Sequence, residues 1–355
     1  MPSNAGIGAG ISKTLALVMS EYRAPGMGAC ILSSKEILGC RVWGVRKQGD
    51  ETELQRDDRF HLGSCTKAMT ATLLARLVEE GKLAWDSALG ELLPSYSKIM
   101  HEKFKPVTLR QILQHRGGTL GRAIPRGAGK SDLAKAGLTR PQYREAYLRV
   151  VLSKKPDPTP GTAYSYSNSG YVVAGVIAEN LCQKPFEDLL RGYIAEPLKM
   201  KTFGFRHMDP SRKISQPWEH IPSLAGPKPV DPDDEDHPAM DPAGMVHCSL
   251  SDWARFVQVH LAGARGAVDL LSQESFRVLH TPPEGQDYAM GWIRATRTWA
   301  KGMVLTHDGS NRRNFAVAWV APKIDRAYLV TSNMGGDLAA SACDTVASKL
   351  ISLRS

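Results

Sequence analysis

Six cysteines are spread over 355 residues, and no two of them form a Cys-x-x-Cys pair. Cys30, Cys40, Cys65, Cys182, Cys248 and Cys343 stand far apart, which argues against a zinc ribbon, a redox motif or a compact disulfide scaffold. Reduced thiols are expected. No apolar stretch reaches the roughly 18 residues that a membrane helix requires. The opening residues lack a basic segment running into an uninterrupted apolar one, so a soluble, cytoplasmic protein is expected, although a chain trimmed of an export signal reads the same way. Runs of like charge are also missing. Forty-five Lys and Arg against 36 Asp and Glu leave a net +9, but dispersed, which predicts neither a nucleic-acid partner nor a membrane surface.

The usual signatures of cofactors are absent as well. Gly127-Ala128-Gly129-Lys130-Ser131 ends like a phosphate-binding loop, but position 124 is Ile124 where that motif needs glycine. His237, His247 and Cys248 lack zinc-finger spacing, and the acidic stretch 231–236 lacks the glycine and distal glutamate of a calcium loop. No metal and no cofactor are predicted. A Gly-x-Ser-x-Gly nucleophile elbow is missing too, which removes the commonest hydrolase signal of doubly wound sheets.

Periodicity organises the rest. Ile11, Leu15, Val18, Met19 and Tyr22 have helical spacing, which stops at Ala24-Pro25-Gly26. MGACILSS and EILGCRVWGVR read as a β-hairpin. From Ser64 to Glu80 a helical face returns (Met69, Leu73, Leu74, Leu77, Val78), and Gly81 is its expected terminator. TLRQILQHRGG offers Thr108 as an N-cap and Gly117 as a stop, and further helices are expected near 171–182 and 185–194. The segment 209–243 is dense in proline and acid and reads as a long loop. MVLTH, NFAVAWVAP and RAYLVTSN read as strands, and a final helical pattern begins at Asp337. Strands at both ends with helices between predict an α+β fold. Its antiparallel sheet is assembled from both termini (1–60 and 215–355), around an inserted, mostly helical lobe (61–214), with the active site between the two lobes.

Chemistry concentrates in three stretches. In His61-Leu62-Gly63-Ser64-Cys65-Thr66-Lys67, a serine and a lysine three apart share one helix face at the start of an apolar helix. A serine hydroxyl needs a nearby base, and a buried lysine can lose its proton. Ser95-Tyr96-Ser97-Lys98 has the same spacing but follows Pro94 in a loop-like context, with no apolar helix after it. Cys65, beside Ser64, is read as a small packing residue. In the second stretch, Tyr166 and Asn168 flank Ser167, and in an extended loop both side chains would face one cleft. The third is Thr306-His307-Asp308-Gly309-Ser310, where Gly309 permits close backbone approach and His307 can offer a proton or a positive charge.

Together these stretches resemble the serine β-lactamase and penicillin-binding-protein superfamily, in its class C-like branch with the family VIII carboxylesterases, D-aminopeptidases and DD-carboxypeptidases. The resemblance runs from about Met27 to Gly336 and includes LVEEGKLAWD, VTLRQILQHRGG, YSNSGYVVAGVIAE, EPLKMKTFGF and YAMGWI. It implies the β-lactamase/DD-peptidase fold, with Ser64 as acylated nucleophile, Lys67 as its activating partner and Tyr166 as general base. It further implies that Asn168 binds the substrate's amide or ester region and that His307-Asp308-Gly309 stands in the place of Lys-Thr-Gly. The oxyanion would lie between the backbone N–H groups of Ser64 and Ser310. Where relatives continue with glycines, this chain has Ser310-Asn311-Arg312-Arg313-Asn314-Phe315, so Arg312 and Arg313 either bind a substrate carboxylate or face solvent. The expected function is a serine hydrolase forming an acyl-enzyme from small esters or amides. The alternatives are a β-lactamase, a D-amino-acid-specific peptidase, or a non-catalytic sensor or scaffold of the same fold.

Overall fold

The computed structural model describes residues 4–119, 121, 129, 137–205, 211, 213–231, 236–267 and 270–353. Most of the loop 127–131 and the acids at 232–235 lie outside the described residues. The centre of the fold is a six-stranded antiparallel sheet in the order β2-β1-β10-β9-β8-β7. Its strands are β1 (Gly26–Leu32), β2 (Ile37–Gly44), β7 (Ile293–Arg297), β8 (Gly302–Ser310), β9 (Phe315–Ala321) and β10 (Arg326–Ser332). The first two come from the N-terminal part of the chain and the other four from the C-terminal part, and the sequence pattern predicts all of these except β7. The short strands β3 (Phe60–His61) and β6 (His247–Cys248) pair with each other, as do β4 (His220–Ile221) and β5 (Lys228–Pro229).

Alternation along β1 divides the core. Met27, Ala29 and Ile31 join Ile11, Leu15 and Val18 of helix α1 (Asn4–Tyr22) and Ala342, Cys343 and Val346 of the C-terminal helix Gly336–Ser352. Cys30 and Leu32 point to the opposite face, onto a larger core with helix α2 (Thr66–Glu79) and the helix Leu250–Gly263. Helix α2 is buried on nearly every side, which explains why its apolar face extends almost all round. No helix among the described residues is long and apolar enough to cross a membrane.

Several local expectations change. Thr108 caps its helix by accepting a hydrogen bond from the Gln111 amide at 3.2 Å, yet the helix ends at Leu113 rather than at Gly117. His115 follows with φ at +57°, a left-handed turn that stops the helix two residues early. The helix expected near 171 starts at Asn168, because the Ser167 hydroxyl accepts from the Gly170 amide. Strand β7 reads I-R-A-T-R, too polar and short to stand out, and it is the sheet's edge. Within 209–243 the described residues form the β4–β5 hairpin and helical turns at Pro238–Met240 and Asp241–Gly244.

Candidate active site

Two glycines set the geometry around Ser64. Gly63 has φ at +51°, and a Cβ there would run into the Ser310 nitrogen. A Cβ on Gly309 would lie 2.6 Å from the Ser64 nitrogen and would collide with the Leu62 carbonyl. The turn leading into α2 is therefore packed backbone to backbone against the end of β8, which only residues without side chains allow. This packing sets Ser64, in a single turn of 3-10 helix (Gly63–Cys65) that runs straight into α2, beside Ser310 at the end of β8.

Ser64 Oγ has two close partners. Tyr166 donates its phenolic hydrogen to it at 2.7 Å, and Lys67 Nζ lies 2.9 Å away. Lys67 is fully buried and also donates to Asn168 Oδ1 at 2.8 Å and to the Ala243 carbonyl at 2.6 Å. The ammonium nitrogen stands 4.9 Å from the centre of the Tyr166 ring. The structure thus brings Ser64, Lys67, Tyr166 and Asn168 together, with Asn168 in the first turn of a helix rather than in an extended loop.

Aromatic rings hold the tyrosine. His115 packs against the Tyr166 ring at 4.2 Å between centroids and against Tyr288 at 4.4 Å. Its Nδ1 accepts from the Ser167 amide, and its carbonyl accepts from the Ser165 amide. The left-handed turn at His115 thereby fixes the strand of chain that carries Tyr166. Sequence reasoning did not single out His115, Tyr288 or the Ala243 carbonyl. The first two lie in phrases noted only for their family likeness, and a backbone carbonyl leaves no residue-type signal.

His307 requires a correction. It lies beside the cleft, but its Nδ1–H donates to the Asp308 carbonyl at 2.5 Å and its Nε2 accepts from Tyr288 at 3.0 Å. Burial, followed by the Lys67 charge, pulls its pKa down to about 4. Near neutral pH the ring is held without a positive charge, against the expectation that His307 could offer one. The two arginines separate. Arg313 binds buried Glu219 at 3.3 Å, in a network where Asn311 and Asn314 also donate to Glu219. Arg312 is exposed, with φ at +72°, and lines the cleft together with Ser310.

The cleft has a volume of about 760 Å³, and its walls mix aromatic and thioether side chains (Tyr164, Tyr288, Met240) with polar ones (Asn168, Asp308, Arg312). Behind it lies a cluster with ligand-type side chains, His61, Glu219 and His247, whose donor atoms fall within 4.8 Å of one another. Hydrogen bonds engage one ring nitrogen of each histidine: His247 Nδ1–H donates to the Met245 carbonyl at 2.8 Å. His61 Nδ1 accepts the Gly63 amide proton at 2.8 Å, which leaves the ring's N–H on Nε2, facing Asp236 Oδ2 at 3.4 Å. Burial pushes the Asp236 carboxyl up, but His61 beside it, with Asn311 and Arg313, outweighs that and holds it down at about 2; burial raises Glu219. The cluster braces the turn before Ser64.

A second buried cluster braces Lys67 from below. Fully buried Arg144 reaches Glu179 (2.6 Å), Glu187 (2.6 Å) and Asp241 (2.8 Å), and Arg140 adds a 2.6 Å contact to Asp241. Asp241 begins the helical turn that presents the Ala243 carbonyl to Lys67.

Known proteins resemble this chain along most of its length. The profile of the Beta-lactamase family matches residues 11–348. Penicillin-binding protein 4 of Amycolatopsis lactamdurans is 25% identical over 85% of this chain and 79% of its own length. Esterase EstB of Burkholderia gladioli is 29% identical over 55% of this chain, and the unguisins hydrolase ungD' of Aspergillus campestris (strain IBT 28561) 26% identical over 82%. The matched regions span only 50% and 55% of those two relatives. Among solved structures, a beta-lactamase from Sulfitobacter sp. EE-36 superposes with a TM-score of 0.77 at 18% identity, covering 99% of this chain and 98% of its own. The octameric penicillin-binding protein homologue from Pyrococcus abyssi gives 0.76 at 20% identity, over 94% of this chain and 75% of its own. With a matching profile over nearly its whole length and the same fold, the chain belongs to the Beta-lactamase family.

Proposed function

We propose that the chain is a serine hydrolase that cleaves small esters or amides through an acyl-enzyme on Ser64. The observation that carries this reading is the position of Ser64 Oγ between the Tyr166 hydroxyl at 2.7 Å and Lys67 Nζ at 2.9 Å. Two of the lysine's contacts, to Asn168 Oδ1 and the Ala243 carbonyl, require it to donate. The third, to Ser64, works in either direction. As an ammonium, Lys67 donates to the hydroxyl and favours the Tyr166 phenolate; as an amine, its lone pair takes the serine proton. The three groups are close enough to share their protons.

In this reading Tyr166 accepts the Ser64 proton during attack and returns it to the leaving group, a role worth roughly 10²–10⁴ in rate. The amides of Ser64 and Ser310 stabilise the oxyanion, each at about 3–4 kcal/mol. Asn168 orients both Lys67 and the acyl group, and Gly309 allows the close approach. A two-lobed arrangement, 1–60 with 215–355 against 61–214, is part of the same proposal. The relative named as an esterase and the neutral His307 favour ester substrates. The relative named as a penicillin-binding protein keeps β-lactam and D-peptide substrates as the second reading.

A substrate panel tests it: p-nitrophenyl acetate and butyrate, a chromogenic cephalosporin and D-alanyl p-nitroanilide. Labelling with a fluorophosphonate should add one adduct, on Ser64, and Ser64→Ala should remove both adduct and turnover. No adduct and no turnover on any substrate would leave a non-catalytic sensor.

A further inference from the structure

A pair of cysteines that the catalytic reading does not use lies at the other end of the sheet. Cys30 on β1 faces Cys40 on β2, directly opposite in the antiparallel register. The kind of pairing follows from the neighbouring turn. The Val45 amide bonds to the Pro25 carbonyl, so 25 and 45 form a hydrogen-bonded pair. Counting inward along the register, hydrogen-bonded and non-hydrogen-bonded pairs alternate, which puts 30 and 40 in the non-hydrogen-bonded class. In that class the Cα atoms approach to about 4.5 Å and the side chains are closest, within the 4.4–6.8 Å span that a disulfide bridges. Both side chains belong to the same side of the sheet, with Cys40 packed against the core cluster that contains Cys30. Cys30 is buried, whereas Cys40 is half-buried on the edge strand, open to small reagents.

We propose that Cys30 and Cys40 form a dithiol site that takes up a two-electron peroxide oxidant and closes reversibly to a cross-strand disulfide. The order of events follows from exposure and charge. The neighbouring Cys30 thiol, then the charges of Arg56 and Arg41, favour the Cys40 thiolate, while burial keeps Cys30 a thiol. Cys40 attacks the peroxide, the O–O bond breaks, and a sulfenic acid forms as water or an alcohol leaves. Cys30 sulfur then attacks the sulfenic sulfur, the S–O bond breaks, and the departing hydroxide takes the Cys30 proton as water. Two sulfurs lose one electron each, and the peroxide gains two. A dithiol reductant reverses the step by exchange. None of this depends on the hydrolase reading.

The test uses the whole folded protein with about one equivalent of hydrogen peroxide, followed by denaturation, alkylation and intact mass. The expected result is four alkylated cysteines instead of six, restored to six by dithiothreitol. Trypsin cuts after Lys35, so a non-reduced digest should show peptides 24–35 and 36–41 joined. Cys40→Ser should keep all five remaining thiols alkylatable, whereas Cys182→Ser should still lose two. In Cys30→Ala, a sulfenic acid should persist on Cys40 and be trapped by dimedone. Six alkylated thiols after peroxide, a linkage between other cysteines, or a Cys40 sulfinic acid without cross-link in the native sequence would overturn the proposal.

Discussion

Ser64 Oγ and the Tyr166 phenolic oxygen stand 2.7 Å apart, although 102 positions of sequence separate them. The contact exists because the left-handed turn at His115 and the cap at Ser167 aim one short segment into the mouth of α2. Tyr166→Phe removes the hydroxyl and keeps the ring that packs on His115. Turnover of p-nitrophenyl acetate should fall by roughly 10²–10⁴, with the melting temperature changed by no more than a few degrees. An active Tyr166→Phe enzyme would assign the base role elsewhere.

Gly309→Ala places a methyl group against the Leu62 carbonyl and the Ser64 amide, both of them backbone with little room to yield. Over-packing of this kind costs about 1–3 kcal/mol, and displacement of the Ser64 amide should lower kcat by roughly 10²-fold or more. Gly49→Ala makes the control, since nothing lies within 4 Å of a Cβ there. Its φ of +84° means that only stability should suffer.

The parts of the site that could be read from the sequence are those with a local signature. Ser64 and Lys67 are neighbours because the helix makes them so, and the sheet's central strands announce themselves as β-branched and aromatic runs. The control pair Ser95–Lys98 fails for the same local reason: it lies in a 3-10 turn after Pro94, with no long helix beyond it. What could not be read is relational. The Ala243 carbonyl has no residue-type signal, and Arg144 gathers acids from three separate segments. The charge of His307 depends on burial, which a His-x-Gly spacing does not encode.

That burial has a pH signature, clearest at His220. Its Nε2 accepts the Gln48 amide and its Nδ1–H donates to the Asn333 carbonyl, both at 2.9 Å, so the folded state holds the ring neutral. Burial depresses its pKa to about 4 from the ordinary 6.5. Between those values the unfolded chain binds a proton that the folded chain does not, and stability falls as pH drops through this window, by on the order of 3 kcal/mol in all. Asp241, raised to about 8 by burial, tilts stability the opposite way above its ordinary value, so the wild-type slope is a composite. The comparison that isolates His220 is His220→Gln. Urea unfolding from pH 6.5 to 4 should show a slope flatter by about 1.4 kcal/mol per pH unit in the variant. Parallel slopes would contradict a neutral, buried His220.

Arg144→Ala leaves Glu179, Glu187 and Asp241 in a buried pocket with only Arg140 remaining for Asp241. Removing one partner from such a cluster costs about 3–5 kcal/mol. Because Asp241 starts the turn that offers its Ala243 carbonyl to Lys67, the surviving folded enzyme should also lose activity at saturating substrate. Urea denaturation with active-site titration separates the two effects. Full specific activity per titrated site would confine Arg144 to stability.

Among the described residues that line the cleft, Arg312 is the exposed cation, Arg313 being committed to Glu219. If it receives a substrate carboxylate, Arg312→Ala should raise KM for a p-nitrophenyl hemisuccinate ester by roughly tenfold, a loss of about 1.4 kcal/mol, and leave p-nitrophenyl butyrate unchanged. Arg312→Lys keeps the charge and loses the fork, so it should recover only part of the difference. Equal effects on the charged and neutral esters would show that the side chain shapes the rim rather than reading charge. In either case the catalytic rate at saturation should hold, because the Ser64–Tyr166–Lys67 contacts lie deeper than the residue being changed.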